Sequence, residues 1–151
     1  MGVPWVIRPC AFAFVHSDGR LLVARFRDPD DGSPYFRPLG GGIDFGETGE
    51  EAVRREFREE LCVELGSVRP LGSIENLFEM RGERYHELCF IFVAEPDGWA
   101  LSRFDGFVIA ESVGPGFDET ATVWEANRLD ALSPLYPEGV ADLIRAWLAS
   151  S

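Results

Sequence analysis

No stretch of this 151-residue chain approaches the ~20 consecutive apolar residues of a membrane-spanning helix, so no membrane is expected as a partner. The first fourteen residues lack the basic start and long apolar run of a secretory leader, and Arg8 interrupts them. Cysteine is scarce. Cys10, Cys62 and Cys89 are odd in number and show no CxxC spacing, which excludes a disulfide framework and a zinc site. They read as free thiols packing as small hydrophobes, and these absences together predict a cytoplasmic protein. There is no basic run, and the formal net charge is −12. Such a surface repels a phosphate backbone, so polymeric nucleic acid is not an expected partner. Phosphates can still be handled where cations intervene.

What is present suffices for a core. The composition is 46% hydrophobic with 12 Phe and 4 Trp, which predicts one folded domain over residues 1–151. Residues 6–15 read as a strand, Asp18-Gly19 as a tight hairpin turn, and residues 21–26 as the returning strand. A polar loop (28–34) and the glycine run Gly40-Gly41-Gly42 follow. Residues 47–64 are predicted helical: Thr48 and Glu51 have capping-box spacing, and Val53, Phe57 and Leu61 form an apolar stripe. Further strands are expected at 68–78, 88–94 and 120–125. A second helix is expected at 139–148, with Val140, Leu143, Ile144 and Trp147 on one face. Strands mixed with two helices predict an α+β domain whose mixed sheet is packed between helices.

The charged helix carries the chemistry. Glu56, Glu59 and Glu60 stand at i, i+3 and i+4 and share one helical face, where like charges repel. A hard divalent cation relieves that repulsion and keeps coordination positions open for water or phosphate oxygens. Arg55 lies four residues before Glu59 and can hold it. The three glycines let the backbone turn sharply and approach a ligand closely. Glu runs on helices are commonly solvated faces. Here, however, Glu47, Arg55, Glu56, Glu59 and Glu60 occupy fixed spacings after Gly41. Five such residues at about 6% background coincide about once in a million windows.

This pattern resembles the box of the Nudix hydrolase family: Gly41, five residues, Glu47, seven residues, Arg55-Glu56, an apolar residue, any residue, Glu59-Glu60. Cys62 stands where the family has its closing glycine. The resemblance implies the Nudix fold, an α/β/α sandwich with a mixed sheet. It also implies hydrolysis of a nucleoside diphosphate derivative, such as a nucleotide sugar or ADP-ribose, by water attack on phosphorus. The implied cofactor is Mg²⁺, with Mn²⁺ as substitute. Its implied ligands are Glu56, Glu59, Glu60 and the carbonyl of Gly40, with Arg55 and Glu47 orienting them.

Outside the box, Glu87 and Glu119 are candidate bases, with Glu75, Glu79 and Glu111 as further acids. Arg25 and Arg37, together with Gly41 and Gly42, are the expected substrate-binding positions. Tyr35, Phe36 and Phe78 are the aromatics that could stack on a base. His86 reads as a satisfied strand-end histidine. A small nucleotide is the expected partner, and a homodimer is compatible with the sequence. Two competing readings stand: a nucleoside triphosphate pyrophosphohydrolase, and a non-catalytic nucleotide-sensing Nudix module. The second is disfavoured because every charged box position is retained.

Overall fold

The computed structural model describes residues 5–109 and 119–151. Strand β1 (Ile7–Ser17) is buried from Cys10 to Val15. Such an unbroken apolar run is the signature of a strand covered on both faces. Asp18 and Gly19 adopt left-handed φ values of 51° and 73° and turn the chain into β2 (Arg20–Arg27), the predicted two-residue hairpin. Direct β1–β2 pairing lasts only from Val15↔Leu22 to Ser17↔Arg20. Beyond it the strands part, and the next segment fills the gap. Strand β3 (Pro34–Arg37) pairs with β2, while β4 (Leu39–Gly42) pairs with β1. The changeover falls at Pro38, which has no N–H to donate to either neighbour. The predicted polar loop is present over residues 28–33, with Pro34 already in β3, whereas the predicted glycine turn is part of the sheet as β4.

Helix α1 (Gly49–Leu61) starts at the predicted Thr48/Glu51 capping box and is shorter than residues 47–64. It ends because Cys62 is left-handed, with φ 56° and ψ 39°. Strands β5 (Leu65–Met80) and β6 (Glu83–Pro96) form a hairpin well beyond the two apolar runs that announced them, closed by Arg81 and Gly82 at φ 50° and 79°. Strand β7 (Glu119–Glu125) pairs with β2. The sheet runs β3-β2-β1-β6-β5, with β4 alongside β1 and β7 alongside β2. Only the β1–β6 contact is parallel among the named strand pairs, so the sheet is mixed. Val53, Phe57 and Leu61 of α1 pack on one face with Ala11, Ala13 and Leu22. Val140 and Ile144 of α2 (Val140–Ser150) pack on the other with Phe14, Leu21 and Ile91. This is the expected α+β fold, layered helix–sheet–helix. Two short 3₁₀ segments, Leu101–Phe104 and Ala126–Ala131, had no sequence signal. Among the described residues no helix is long and apolar enough to cross a membrane.

Two backbone positions give predictions. Gly40 has φ 152°, and a Cβ there would collide with the Ala11 carbonyl oxygen of β1. Gly40→Ala is therefore expected to destabilise by about 3 kcal/mol or more, combining backbone strain with overpacking, read as a fall in denaturation midpoint. Cys62 is exposed, so replacing it sacrifices no packing. Cys62→Gly should relieve the left-handed strain and stabilise by about 0.5–1 kcal/mol. An unchanged or lower midpoint would show that the thiol makes a contribution beyond its backbone geometry.

Candidate active site

The capping box fixes the start of α1, and nearly two helical turns later Arg55 reaches back over the preceding loop. Its Nε and Nη2 donate to the two Glu47 oxygens at 2.8 and 2.9 Å. Nη2 also donates to the Gly42 carbonyl at 2.9 Å, and Nη1 to Glu56 at 3.1 Å and Glu59 at 3.3 Å. One guanidinium thus ties together the glycine strand, the loop acid and two helix acids. The Arg55 hydrogen bonds, with a further one from the Asp44 N–H, hold the Glu47 carboxyl down at about 2. Glu47 in turn raises Arg55.

Beside this knot lies a cleft of about 540 Å³. Its floor includes Gly40, Gly41 and Gly42, with Glu56 and Glu60 leaning over it from α1. The glycines are sterically required. A Cβ on Gly41 would lie 2.7 Å from a Glu56 carboxylate oxygen, and one on Gly42 would lie 2.8 Å from an Arg8 Nη. The missing side chains leave an acid on one side of the strand and a guanidinium on the other. Burial, then the neighbouring Glu119 and Glu56 carboxylates, push the Glu60 carboxyl up to about 9; Arg37 opposes the shift. Burial likewise raises Glu119 to about 7. Arg37 lies between the Phe12 and Phe26 rings, its guanidinium carbon 4.6 Å from each centroid. Its Nε is buried without a hydrogen-bond partner among the described residues.

The structure gathers Gly40, Gly41, Gly42, Glu56, Glu60, Arg37 and Glu87 at this cleft. Glu47 and Arg55 stand behind them. Glu119 is buried at the start of β7, close enough to Glu60 and Arg37 for their charges to be felt. Glu59 does not join: its side chain is 59% exposed and held by Arg55 on the outer surface of the helix. Arg25 does not join either. It stands exposed on β2, and its neighbours Ala24 and Phe26 in the strand alternation take the inward positions. Glu87 is buried and paired with Arg8 at 3.4 Å. Phe36 is a core residue, edge-on to Trp124, and so is not available to stack on a ligand. Among the described residues His86 Nε2 is buried without the expected hydrogen-bond partner. Glu75 is exposed, Glu79 lines the cleft, and Glu111 lies outside the described residues. Sequence reasoning missed Asn76 and Tyr136, which also line the cleft. Asn76 could have been found from its place two residues before Phe78 on the same strand face; Tyr136 had no periodic signal.

Among the described residues, no three His, Cys, Asp or Glu side chains converge into a ready-made metal cage. The donor set present is a pair of helix carboxylates beside a glycine backbone. It fits an ion such as Mg²⁺, which is usually held by one or two carboxylates with water and substrate phosphates completing the shell. The raised Glu60 carboxyl marks the place where a positive charge is wanted.

A family model described as the NUDIX domain matches residues 6–111. The chain is similar to an RNA pyrophosphohydrolase of Novosphingobium aromaticivorans, 34% identical over 109 residues that cover 70% of this chain and 66% of that protein. It is also similar to the NAD-capped RNA hydrolase NudC of Chromobacterium violaceum, 33% identical over 105 residues that cover 66% of this chain and 35% of that protein. The chain thus spans from about a third to just under two thirds of the length of these relatives. Among solved structures, the MutT NUDIX hydrolase from Burkholderia pseudomallei aligns with a TM-score of 0.63 at 26% identity, covering 91% of this chain and 96% of that one. Since the match runs from β1 through α1 and β6, the elements that position the glycine strand, Arg55 and the helix acids, the chain belongs to the NUDIX family.

Proposed function

We propose that this protein is a divalent-cation-dependent hydrolase that cleaves the diphosphate linkage of a nucleoside diphosphate derivative, of the nucleotide-sugar or ADP-ribose kind, by water attack on phosphorus. The observation that carries this is the crowding of Glu56 and Glu60 over the glycine strand, with the Glu60 carboxyl driven to about 9. Two acids are forced together where a phosphate can approach the backbone. Mg²⁺, or Mn²⁺ in its place, held by Glu56 and Glu60 beside Gly40, would neutralise the diphosphate and lower the pKa of a bound water. The chain's own residues supply the rest. Arg55 fixes the Glu56 carboxylate and locks it to the glycine strand. Arg37 offers a guanidinium to a phosphate oxygen, its plane set by the two Phe rings. Glu119, at about 7, suits a general base that takes the proton of the attacking water. Glu87 is less suited to that task because Arg8 holds it as a carboxylate partner. No covalent protein nucleophile is needed; positioning and electrostatics suffice.

A second reading is favoured by the relatives, two of which are named for action on RNA. On that reading the diphosphate sits at an RNA 5′ end. The net charge of −12 disfavours extended contact with the backbone beyond that end.

A panel of nucleotide sugars, ADP-ribose, nucleoside triphosphates and 5′-capped RNA, read by product mass in ¹⁸O water, tests both readings. Turnover of small diphosphates with ¹⁸O in one phosphate product is expected. Silence across the panel with both metals would leave a sensor module as the better description. Glu60→Gln should lower kcat by about a hundredfold or more, the scale seen when an electrostatic stabiliser is removed, with the fold intact by circular dichroism. A fully active variant would refute the role given to Glu60.

The raised carboxyls also predict a pH dependence. Folded Glu60 and Glu119 keep protons that the unfolded chain loses above 4.5. Their stabilising contribution in the metal-free protein is full below 4.5 and falls as pH rises through 7 towards 9. A cation replaces the proton, so the rise in melting temperature on adding Mg²⁺ should grow from pH 6 to pH 9. A gain independent of pH would count against the carboxylate site.

A further inference from the structure

Cys10 and Cys89 are buried free thiols, and the fold sets them side by side. Cys10 of β1 and Cys89 of β6 are register partners in the parallel ladder, and both are fully buried in the core on the α2 side of the sheet. Contact with Cys10, then burial and the Glu87 carboxylate, push the Cys89 thiol up; Arg37 opposes the shift. The hydrolysis proposed above uses neither thiol.

Their place in the ladder is next to the cleft. On the same face, Arg8 and Glu87 form the preceding rung, and Phe12 and Ile91 the following one. Arg8, Glu87 and Phe12 all line the cleft. The Arg8–Glu87 ion pair, at 3.4 Å, therefore stands on the cleft side of the thiols. The sulfurs themselves are weakly held: Cys10 Sγ is 3.8 Å from the Arg8 carbonyl oxygen, and Cys89 Sγ is 4.0 Å from a Glu87 carboxylate oxygen.

The strand spacing decides what such a pair can do. Side chains of parallel register partners leave the sheet side by side, so their Cβ atoms stand about 4.8 Å apart. A disulfide needs Cβ atoms about 3.8 Å apart, so forming one would draw two central strands together by about 1 Å. Two metal–sulfur bonds of about 2.3 Å laid in line span about 4.6 Å, which matches the spacing with the backbone unmoved. Among the described residues no third His, Cys, Asp or Glu completes a cage. That excludes an ion requiring four protein ligands, such as structural Zn²⁺. Thiolate sulfur is too soft for Mg²⁺. A soft monovalent ion of the Cu(I) or Ag(I) kind, satisfied by two thiolates in line, fits the pair.

We propose that Cys10 and Cys89 form a two-sulfur site for one soft monovalent d¹⁰ cation, Cu(I) or Ag(I), set one rung behind the cleft wall. On binding, each thiol gives its proton to water as its metal–sulfur bond forms, and no electron is transferred. Two thiolates and one cation leave a single negative charge. The Arg8 guanidinium in the next rung and the nearby Arg37 offset it. Because two protons leave, affinity rises with pH. The site stands independently of the hydrolase reading.

Cys62 is exposed and would take such an ion by itself, so the test uses the full chain carrying Cys62→Ser as parent. Cu(I) is added without oxygen and challenged with a Cu(I) chelator, and the retained ion is counted by native mass spectrometry. One ion per chain is expected, bound with loss of two protons. X-ray absorption should show two sulfur neighbours and no oxygen or nitrogen. In the parent background, Cys10→Ala and Cys89→Ala should each weaken retention by more than about a hundredfold, beyond what losing a residue that only supports a ligand costs. Glu60→Gln should retain the ion as the parent does. If an alanine variant fails to fold, the sulfur count on the parent decides alone. A parent that retains no ion, a shell of oxygen or nitrogen, equal retention by the alanine variants, or loss of the ion in Glu60→Gln overturns the site.

Discussion

The contact on which the site depends is the Arg55 guanidinium. It joins three pieces of chain: the glycine strand through Gly42, the loop through Glu47, and α1 through Glu56 and Glu59. A planar fork of five donors can satisfy such a set, and a lysine ammonium cannot reproduce the paired contacts to Glu47. The network is also partly withdrawn from water, with Arg55 and Glu47 side chains 25% and 16% exposed. That raises its worth above a surface ion pair. The consequence is geometric: the helix cannot slide along its axis without breaking the contact to β4, so the distance between the Glu56 carboxylate and the glycine backbone is set.

That fixed distance is used against a sheet that opens where it must. β1 and β2 separate after a short paired stretch, and the segment from β3 to β4 crosses between them. Filling the gap with glycines leaves a floor without side chains. The left-handed φ of Gly40 allows the close approach to β1, and the missing Cβ atoms of Gly41 and Gly42 leave room for Glu56 and Arg8. Arg54 secures the helix at another point by donating to the Leu65 and Gly66 carbonyls at 2.8 and 2.9 Å, where β5 begins. The site is therefore held by backbone contacts on both flanks of α1, as preorganised electrostatics requires.

How much of this was legible depended on whether the signal was local. The capping box, the apolar stripe of α1 and the Asp18-Gly19 turn are written in neighbouring residues, and the structure reproduces them. The Arg55 link to Glu59 followed from i,i+4 spacing and is present. Spacing alone could not say that Arg55 would hold Glu59 at the outer surface of the helix while Glu56 and Glu60 turned inward, because that choice depends on which side the glycine strand lies. Glu87 was read as a candidate base, and it lines the cleft. Its pairing with Arg8 arises from a parallel register between strands 79 positions apart, which no local pattern encodes. Strands β3 and β4 gave no signal for a related reason: four-residue strands of glycine and aromatics have no periodicity to read. Tyr136 reaches the cleft only because a late loop adds itself to β3.

The distribution of charge bears on how a strongly acidic chain could hold a phosphate at this place, as the proposed function requires. There is no lysine, so apart from the histidines and the terminus every cation is a guanidinium able to grip a carboxylate. Those guanidinia are committed along the framework: Arg54 to Glu50, Arg55 to Glu47, Arg58 to Glu64, Arg8 to Glu87. Each commitment neutralises an acid that supports the fold. Glu60 has no such ion pair: it is half-buried, faces Glu119 and Glu56, and feels the opposing charge of Arg37, itself sandwiched between two rings. Glu56, Glu60 and Glu119 are instead brought together beside bare backbone, where burial and mutual repulsion favour the protonated forms of Glu60 and Glu119. A divalent ion gains most where repulsion between fixed carboxylates is greatest and water is least able to screen it. On the function proposed above, an incoming diphosphate would meet both that ion and the Arg37 guanidinium there.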